Sequence, residues 1–544
     1  MMSNKTLALM VFLLSTVSSY AQLDSTNLPI FILDTQGQAI IDDPKTMTRL
    51  KVIHNKNGKY NKPGDAPNEY DGFAGFEYRG SSSQDFPKKP FGFELWDERE
   101  NDIKAGFFGM PKESDWILYP SYNEKSLMHN TLTMRIARKM GMYASRTQYV
   151  EVIVNGSYEG VYVLMEKIKR DKDRVNIAKL EPTSTSGDDL TGGYIIKIDK
   201  NTGTNLGTWE SKYPNPGNVR NFSAFFYEAP KEITELQKTY IRDYVGKFED
   251  VMFSKDFADP TAGYAKYIDV KSFYMMFILN EFSKNVDGYR ISTFLYKDKD
   301  SKGGKLTMGP PWDYDIAYGN AEYCEGWRSE LFAFRYNDIC PKDTWLVPFW
   351  WERLISDPVF VGQMRAEYFK LRESGGILDY ASIVKEIDQM AAEINEAQKR
   401  NFKKWPVLGK YTWPSPQPVP ATWELEVKEL KDWIQARLTW LDKNLPAQYT
   451  ALENSSPKVD LKAYPNPFLD TISLRFTSEK EGNAPLEFFD LQGKMIFKKD
   501  LDVKPGDNLF NIEVPESFEL NGPHILKLTT PEGETVTKKL VKGS

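Results

Sequence analysis

The chain has 544 residues, of which 41% are hydrophobic and 14% aromatic, and its net charge is −6 at pH 7. This length exceeds one ordinary domain and predicts a large body with one or two smaller units. The mild acidity lacks the basic footprint of nucleic-acid binding, so no nucleic acid is expected. Only three histidines and two cysteines occur. They argue against histidine-driven catalysis and against a zinc site, and favour carboxylate and lysine chemistry.

The N-terminal 21 residues have the pattern of a signal peptide. Lys5 supplies a positive charge, residues 7–17 form an apolar run, and small residues precede a cleavage point before Gln22. No later apolar run is long enough to span a bilayer, so no transmembrane segment is expected. The mature protein is therefore predicted to be soluble and exported. In an oxidising compartment Cys324 and Cys340 could form a disulfide, and the alternative is two buried free thiols.

Short strands and turns dominate the first 200 residues. Residues 73–79 and 91–96 alternate as strands on either side of the small-residue turn RGSSSQDFPKKP. Residues 126–140 have the spacing of an amphipathic helix that ends at Gly141. Residues 149–154 and 158–165 read as two strands of a hairpin, because Asn155-Gly156 is a strong two-residue turn signal. A further strand, GYIIKID, is predicted at 193–199.

Helical patterns follow at 233–253, 270–282, 380–402 and 423–444. The Pro/Trp-rich stretch between the last two is too apolar for a flexible linker and is predicted to pack on the body. Composition changes at 449–459, which predicts a linker. Residues 460–544 then contain only short strands and turns, which predicts a small β-sandwich.

Two carboxylates bracket a predicted hairpin between the second and third helices. Residues 290–297 and 305–308 are its strands, so pairing brings Asp287 close to Asp313. Two such carboxylates repel each other unless something compensates, and Mg²⁺ favours one or two carboxylates plus substrate phosphates. Kinases share this layout, with a catalytic Asp before a short hairpin and a metal-binding Asp after it. The alternative is that these residues are ordinary turn formers and caps.

The hairpin tip, DKDSKGG, also resembles a calcium loop. It lacks the third acid and the distal glutamate of such a loop, so a solvated tip is the better interpretation.

A phosphate site also needs cations, and several basic residues stand at suitable places. Lys88 and Lys89 follow a Ser/Gly turn of the kind that cradles phosphates, and Lys167 follows Glu166 at the end of the Asn-Gly hairpin. The candidate cofactor-binding residues are Arg79, Lys88, Lys89, Glu166, Lys167 and Lys197, of which the basic ones are the candidate phosphate ligands. For each of them the alternative is a solvated surface charge.

Several stretches together resemble one family, the CotH spore-coat kinases. They are RGSSSQDFPKKPFGFEL, WILYPSYNEKSLMHN, YVEVIVNGSYEGVYVLMEKIKRDKDRVNI, NVDGYRISTFLY and GPPWDYDIAYG. They occur in the family's order over about residues 75–320, and the segment to about 445 fits as a continuation. The resemblance implies an α+β protein with an atypical protein-kinase-like body at 22–448. It also implies transfer of the terminal phosphate of ATP to Ser or Thr of secreted or cell-surface proteins, with Mg²⁺ or Mn²⁺.

The resemblance also implies roles for residues of these motifs. Asp287 would be the catalytic base, and Asp313 would hold the metal with Asp315 assisting. Lys89 and Lys167 would hold nucleotide phosphates. Ser292 stands at the position of a third metal ligand. The family motif often has Asn there, and Ser is a poorer ligand than Asn.

The tail resembles the C-terminal sorting domain of the type IX secretion system of Bacteroidetes. The likeness rests on YPNPF, on DLQGK at 490–494 and on KKLV near the end. It implies interaction with the type IX machinery, followed by release or attachment at the cell surface. The alternative is an ordinary adhesive Ig-like β-sandwich.

Two other functions stay open. The serine at position 292, where the family motif often has asparagine, favours a pseudo-enzyme that binds a nucleotide or a surface partner without turnover. Paired carboxylates among many aromatic residues also suit a glycan-active or glycan-binding protein. In that case Asp287 and Asp313 should flank an open, Trp-lined groove into which no lysine points.

Overall fold

The computed structural model describes residues 23–201, 206–217, 221–446, 461–466, 468–489, 495–514 and 522–542. They divide into two compact units, Met1–Gln448 and Tyr449–Ser544. The first unit, the body, is mixed α/β, and the second is all-β. The predicted signal peptide and the predicted linker lie outside the described residues. Within the described part of the chain, no helix has both the length and the apolar composition needed to cross a bilayer.

A closed seven-stranded barrel forms the first part of the body. Its strands are β1 (Ile30–Asp34), β2 (Thr46–Ile53), β3 (Tyr70–Tyr78), β4 (Phe91–Trp96), β5 (Asp115–Tyr119), β6 (Thr147–Val154) and β7 (Ser157–Glu166). The order around the barrel is β1-β2-β3-β4-β5-β7-β6, and only the closing pair of β1 and β6 is parallel. Phe31, Phe76 and Trp116 are among the fully buried residues of its core. Closure leaves none of these strands as a free edge.

A five-stranded antiparallel sheet follows the barrel in sequence. It contains β8 (Tyr194–Ile198), β9 (Thr208–Pro214), β10 (Phe222–Ala229), β11 (Thr293–Lys297) and β12 (Leu306–Met308), in the order β12-β11-β8-β10-β9. The predicted hairpin is β11–β12, with Leu295 opposite Met308. Its first strand begins later than predicted, because Tyr289 and Ser292 adopt left-handed φ values of 72° and 49°. Residues 287–292 therefore turn instead of extending the strand.

Helices make up most of the remaining body. They are α1 (His129–Lys139), α2 (Gly187–Leu190), α3 (Glu235–Phe253), α4 (Val270–Ser283), α5 (Tyr336–Ile339), α6 (Trp350–Ser356), α7 (Pro358–Arg372), α8 (Tyr380–Lys404) and α9 (Trp423–Asn444). Helix α4 is apolar around most of its circumference because α1, α7 and α9 all pack against it. It ends at Lys284, which adopts the left-handed conformation at the C-cap. The chain that leaves this buried helix is thereby turned toward Asp287.

The Pro/Trp-rich stretch between α8 and α9 packs on the body, as predicted. The indole of Trp405 donates to the Glu159 carbonyl at 2.9 Å, and that of Trp423 donates to the Ser126 carbonyl at 3.0 Å. Cys324 and Cys340 form a disulfide, with Cα atoms 5.5 Å apart, so the pairing alternative is confirmed.

The C-terminal unit contains two antiparallel sheets. Its strands are β13 (Lys462–Tyr464), β14 (Thr471–Ser478), β15 (Gly482–Phe489), β16 (Met495–Val503), β17 (Gly506–Glu513), β18 (Gly522–Thr529) and β19 (Thr535–Lys542). The sheet orders are β13-β14-β17 and β16-β15-β18-β19. Leu474 and Phe476 of the first sheet share one buried core with Phe488 and Leu526 of the second. The all-β prediction is confirmed here, while the DLQGK stretch lies outside the described residues.

Candidate functional site

A cleft of about 400 Å³ opens in the body. The ends of β3 and β7, the middle of β5, the strands β8 and β10, and the segments flanking the β11–β12 hairpin contribute to its walls. Seven of the residues predicted from the sequence line it: Arg79, Lys167, Lys197, Asp287, Ser292, Asp313 and Asp315. Lys88, Lys89 and Glu166 do not line it. The fold therefore brings together side chains that are more than 200 positions apart in sequence.

Asn285 ties the segment before the hairpin to the segment after it. Its side-chain amide donates to the Asp313 carbonyl at 2.9 Å, and its side-chain oxygen accepts from the Asp287 amide at 3.2 Å. Asp313 has a left-handed φ of 63°, a conformation that Asp tolerates better than most residues. The neighbouring Tyr314 amide donates to the Asn130 side chain at 2.7 Å. These contacts fix the backbone from which both carboxylates enter the cleft.

Burial and mutual repulsion keep the three acids from ionising easily. Burial, reinforced by the charge of Asp313, raises the pKa of Asp287 to about 6, although Arg290 opposes the shift. Burial also raises the pKa of Asp313, against the effect of nearby Arg79. The pKa of Asp315 lies well above its usual value because of burial and the charge of Asp313. Three such carboxyls in one cleft form a site at which a cation gains stabilisation.

Asp315 is held in place by two asparagine side chains. Asn123 donates to its carboxylate at 2.7 Å, and Asn320 donates to its carbonyl at 2.9 Å. Asn123 belongs to the loop that follows β5, so this contact fixes the barrel side of the cleft to the acid-bearing segment. A carboxylate fixed by amide donors keeps its free oxygen directed at a defined point, as a metal ligand requires.

Three predicted cations line the same cleft, and each has an acidic partner. The Arg79 guanidinium lies 5.5 Å from the centre of the Trp312 ring and close to Asp313. Lys167 lies 3.5 Å from Asp115.

Lys197, on β8, is held between two acids. Its ammonium lies 3.2 Å from the Asp199 carboxylate and 3.4 Å from the Glu228 carboxylate. These acids fix the direction of the ammonium while part of the side chain remains open to the cleft.

The turn after β3 lies against the cleft through Gly80 and Ser81 to Ser83. Gly80 has a φ of +93°, and a Cβ atom there would lie 2.1 Å from the Ser83 hydroxyl. Only glycine therefore allows this tight turn. The turn has the small-residue character predicted for a phosphate-cradling loop.

Lys88 points away from the cleft into the interior. Its ammonium donates to the carbonyls of Pro120 and Val161 and to the side chain of Asn401 on α8, at 2.7, 2.5 and 2.9 Å. An ammonium group has three protons, and these acceptors use all of them. Burial lowers the pKa of Lys88 well below its usual value. The geometry gives this residue a structural contact and provides no support for its prediction as a phosphate ligand.

Lys89 and Glu166 also make contacts other than the predicted ones. The Lys89 ammonium donates to the Gln84 carbonyl at 2.5 Å and so stabilises the turn after β3. The fully buried Glu166 carboxylate accepts from the Arg146 amide at 2.9 Å and from its guanidinium at 2.7 Å. Both residues support walls of the cleft without reaching its interior.

The sequence interpretation missed several polar residues of the cleft. Asp199, Glu228, Arg290 and Asn123 all line it. A signal existed for Asp199, which stands directly after the buried strand GYIIKI, at a strand end where polar residues often serve a site. Glu228 gave no such signal, because only the pairing of β10 with β8 brings it to Lys197.

The acids suit a metal ion that is shared with a phosphate-bearing ligand. Among the described residues, no three His, Cys, Asp or Glu side chains form a metal-binding group by themselves. Mg²⁺ commonly takes only one or two carboxylates and completes its shell with water and phosphate oxygens. Asp313 and Asp315, with raised pKa values and adjacent cationic residues, fit that donor set.

The chain belongs to the CotH kinase protein family, whose sequence profile matches residues 76–441. The matched range contains every residue of the cleft named above. Residues 462–543 match the secretion system C-terminal sorting domain, which corresponds to the all-β unit. Both resemblances identified from the sequence are thereby confirmed.

One curated relative is the inner spore coat protein H of Bacillus subtilis (strain 168). It is 24% identical to this chain over 247 residues, which is 44% of this chain. The aligned part spans 58% of the relative's length. This similarity agrees with the family assignment and leaves the activity of this chain to be inferred from its own residues.

Proposed function

We propose that this protein is an exported kinase with a protein-kinase-like body. It transfers the terminal phosphate of ATP to Ser or Thr hydroxyls of secreted or cell-surface proteins, with Mg²⁺ or Mn²⁺. One observation carries the proposal: three carboxyls of raised pKa and three predicted cations line a single cleft in a chain of the CotH kinase family. The Trp lining expected of a glycan-active site is present in Trp312, Trp345 and Trp413, but Lys167 and Lys197 also line the cleft and count against such a site.

In this proposal each group has a separate role. Arg79, Lys167 and Lys197 bind phosphate oxygens, for which positive side chains are suited. Asp313 and Asp315 hold the divalent cation, which when bound neutralises charge on the phosphates. Asp287 orients the acceptor hydroxyl and takes up its proton. Catalysis then consists of positioning and charge neutralisation.

The transfer step is balanced by these groups. The acceptor oxygen forms a bond to the γ-phosphorus, and the bond from that phosphorus to the bridging oxygen breaks. The electron pair of the broken bond leaves with ADP, and the hydroxyl proton moves to the carboxylate of Asp287. Because burial raises the pKa of Asp287 to about 6, this carboxylate is mostly ionised at neutral pH and is still a better base than an ordinary Asp.

The proposed location rests on the C-terminal unit. Residues 462–543 match a secretion system sorting domain, so we infer export by the type IX machinery and delivery to the cell surface or medium. The disulfide between Cys324 and Cys340 agrees with an oxidising compartment.

The Asp313→Asn variant tests the proposed binding site for ATP and its divalent cation. Thermal unfolding of the wild-type protein should shift upward with ATP and Mn²⁺ together, because a bound ligand stabilises the folded state. The variant should lose this shift, since the asparagine cannot neutralise the cation. Incubation with γ-labelled ATP and dephosphorylated casein should label casein only with the wild-type protein. An equal shift and equal labelling in the variant would overturn the proposal.

Lys167 and Lys88 provide a matched pair of lysine variants. We expect Lys167→Met to weaken ATP binding about 10-fold or more, because a charged hydrogen bond to phosphate contributes roughly 1.5–3 kcal/mol. Lys88→Met should instead lower the free energy of unfolding by about 2–4 kcal/mol, because it removes a buried donor from three acceptors, of which the Asn401 side-chain oxygen keeps the Val161 amide as a donor. Calorimetric titration with ATP and chemical denaturation separate the two effects. If Lys88→Met weakened ATP binding and left stability intact, the assignment of the two lysines would be reversed.

A further inference from the structure

The two half-cystines are flanked by residues that line the cleft. Tyr323 immediately precedes Cys324, while Asp343 and Trp345 follow Cys340 closely, and all three line the cleft. Sixteen positions separate the two cysteines in sequence. The disulfide therefore brings together, at the cleft wall, both ends of a loop that is irregular up to the short turns leading into α5.

This wall is connected to the segment that carries Asp287. The Arg290 guanidinium lies 3.2 Å from the Asp343 carboxylate and donates to the Trp345 carbonyl at 2.8 Å. Its Nε donates to the Val286 carbonyl at 2.7 Å, directly before Asp287. Arg290 is itself buried, so these contacts are shielded from water. One side chain thus links the loop to the backbone of the proposed base.

Aromatic rings form the surface of the wall next to Asp287. The Tyr323 and Trp413 rings are nearly parallel, at an angle of 6° with centres 6.1 Å apart. Trp345 is 37% exposed and Trp413 is 45% exposed, although both line the cleft. Tyr323 and Asp287 line the same cleft, and burial, with a contribution from the charge of Asp287, raises the pKa of Tyr323. We call Tyr323, Trp345 and Trp413 the aromatic rim.

Exposed aromatic residues grouped at a cleft often mark a binding site, and such rings dominate binding energy in protein interfaces. Arg79, Lys167 and Lys197, the cations proposed to bind the phosphates of ATP, lie on the barrel and β8, while the rim adjoins Asp287. Arg290, the cation that contacts the rim, is buried and already engaged by the Asp343 carboxylate and the carbonyls of Trp345 and Val286. Its position and chemistry suit the polypeptide that presents the acceptor hydroxyl to Asp287.

We propose that the aromatic rim binds apolar side chains of the acceptor polypeptide and that the Cys324–Cys340 disulfide positions it. This inference rests on the proposed kinase function. Tyr323, Trp345 and Trp413 are then specificity-determining residues, and the two cysteines are positioning residues. Loss of the disulfide should weaken acceptor binding and leave ATP binding unchanged, because the donor contacts come from other elements.

The chain is suited to a chemical test, because these are its only two cysteines. Dithiothreitol therefore has no other disulfide to reduce. We expect reduction to raise the KM for dephosphorylated casein by about 5- to 30-fold, the effect of losing one or two aromatic anchors. The KM for ATP should not change. ATP and Mn²⁺ should raise the unfolding midpoint of the reduced protein by as much as they raise that of the oxidised protein. The Cys324→Ser/Cys340→Ser variant should behave like the reduced protein and no longer respond to the reductant.

A second set of variants leaves the disulfide intact. Trp345→Ala and Trp413→Ala should each raise the KM for casein, with no change in the KM for ATP. The control is Trp327→Ala, because Trp327 lies within the same loop and is 50% exposed but does not line the cleft. Hydrogen exchange adds a readout that does not depend on activity: reduction should speed exchange of amides at 323–345 and at 286–290.

The outcomes separate this inference from the function on which it rests. An unchanged KM for casein after reduction and in both rim variants, with transfer intact, would overturn the role of the rim alone. Equal increases of the KM for casein in Trp327→Ala and Trp345→Ala would also overturn the role of the rim. If the oxidised wild-type protein bound ATP but transferred no phosphate to casein or to itself, the kinase function would fail and the inference with it.

Discussion

Replacement of Asp287 by asparagine is expected to slow phosphoryl transfer by roughly 10²- to 10⁴-fold, the usual contribution of a general base. Asparagine keeps the shape of the side chain and the hydrogen bonds that the carbonyl of residue 287 accepts from the amides of Arg290 and Ile291, but it cannot accept the hydroxyl proton. The KM for ATP should stay within about twofold, since the donor contacts come from Arg79, Lys167 and Lys197. Initial rates of casein labelling, measured at saturating ATP and Mn²⁺, test this expectation.

The same measurement decides between a kinase and a nucleotide-binding pseudo-enzyme. Ser292 lines the cleft, and its amide nitrogen lies 3.5 Å from the Asp199 carboxylate. A serine is a poorer metal ligand than the asparagine often found in the family. ATP-dependent stabilisation without any labelling in the wild-type protein would establish the pseudo-enzyme. Labelling that is equal in wild type and Asp287→Asn would show that the phosphate reaches casein without this base.

Arg437→Met is expected to destabilise the body by about 3–5 kcal/mol, the usual cost of removing one partner from a buried ion pair. Arg437 on α9 is fully buried and lies 3.0 Å from the Glu281 carboxylate on α4. It also donates to the carbonyls of Ser329 and Leu331 at 2.9 and 2.6 Å. Burial raises the pKa of Glu281, and without Arg437 the carboxylate would have to take up a proton or remain as an uncompensated charge. Denaturant titration of the purified protein measures the loss.

The control for Arg437 lies on the same helix. Lys428 pairs with the exposed Asp432 one turn away, and we expect Lys428→Met to leave the unfolding midpoint unchanged. Helix α4 leads directly into the segment that carries Asp287, so Arg437→Met should also reduce ATP-dependent stabilisation. A stability loss no larger than that of Lys428→Met would show that α4 and α9 are held by apolar packing alone.

Local patterns predicted most regular elements of the body. The strand β4 and the helix α9 have the predicted bounds, and the turn between β6 and β7 falls at Asn155-Gly156. These features depend on neighbours within a few residues, which the sequence displays directly. The closure of the barrel could not be predicted, because β1 and β6 are separated by more than 110 residues and no local signal records their pairing.

The same distinction applies to the cleft. Asp287 and Asp313 could be assigned to one site because a hairpin of recognisable length separates them. The lysines could not be told apart, because Lys88 and Lys89 are adjacent and their directions depend on distant partners. Lys88 finds its acceptors on β7 and on α8, more than 300 positions away in the latter case. A side chain's direction is a property of the packed body, which composition and spacing do not contain.

The barrel sets a limit on how the body can be isolated for study. The family match begins at residue 76, inside β3, yet β1 and β2 complete the ring of strands. A recombinant fragment cut to residues 76–441 would lose these strands and leave β4 and β6 with unpaired edges, which favour aggregation. It would also expose Phe93 and Phe107, which Phe31 covers in the intact barrel. An expression fragment that keeps the cleft intact therefore has to begin before Ile30 and continue through the buried Leu445.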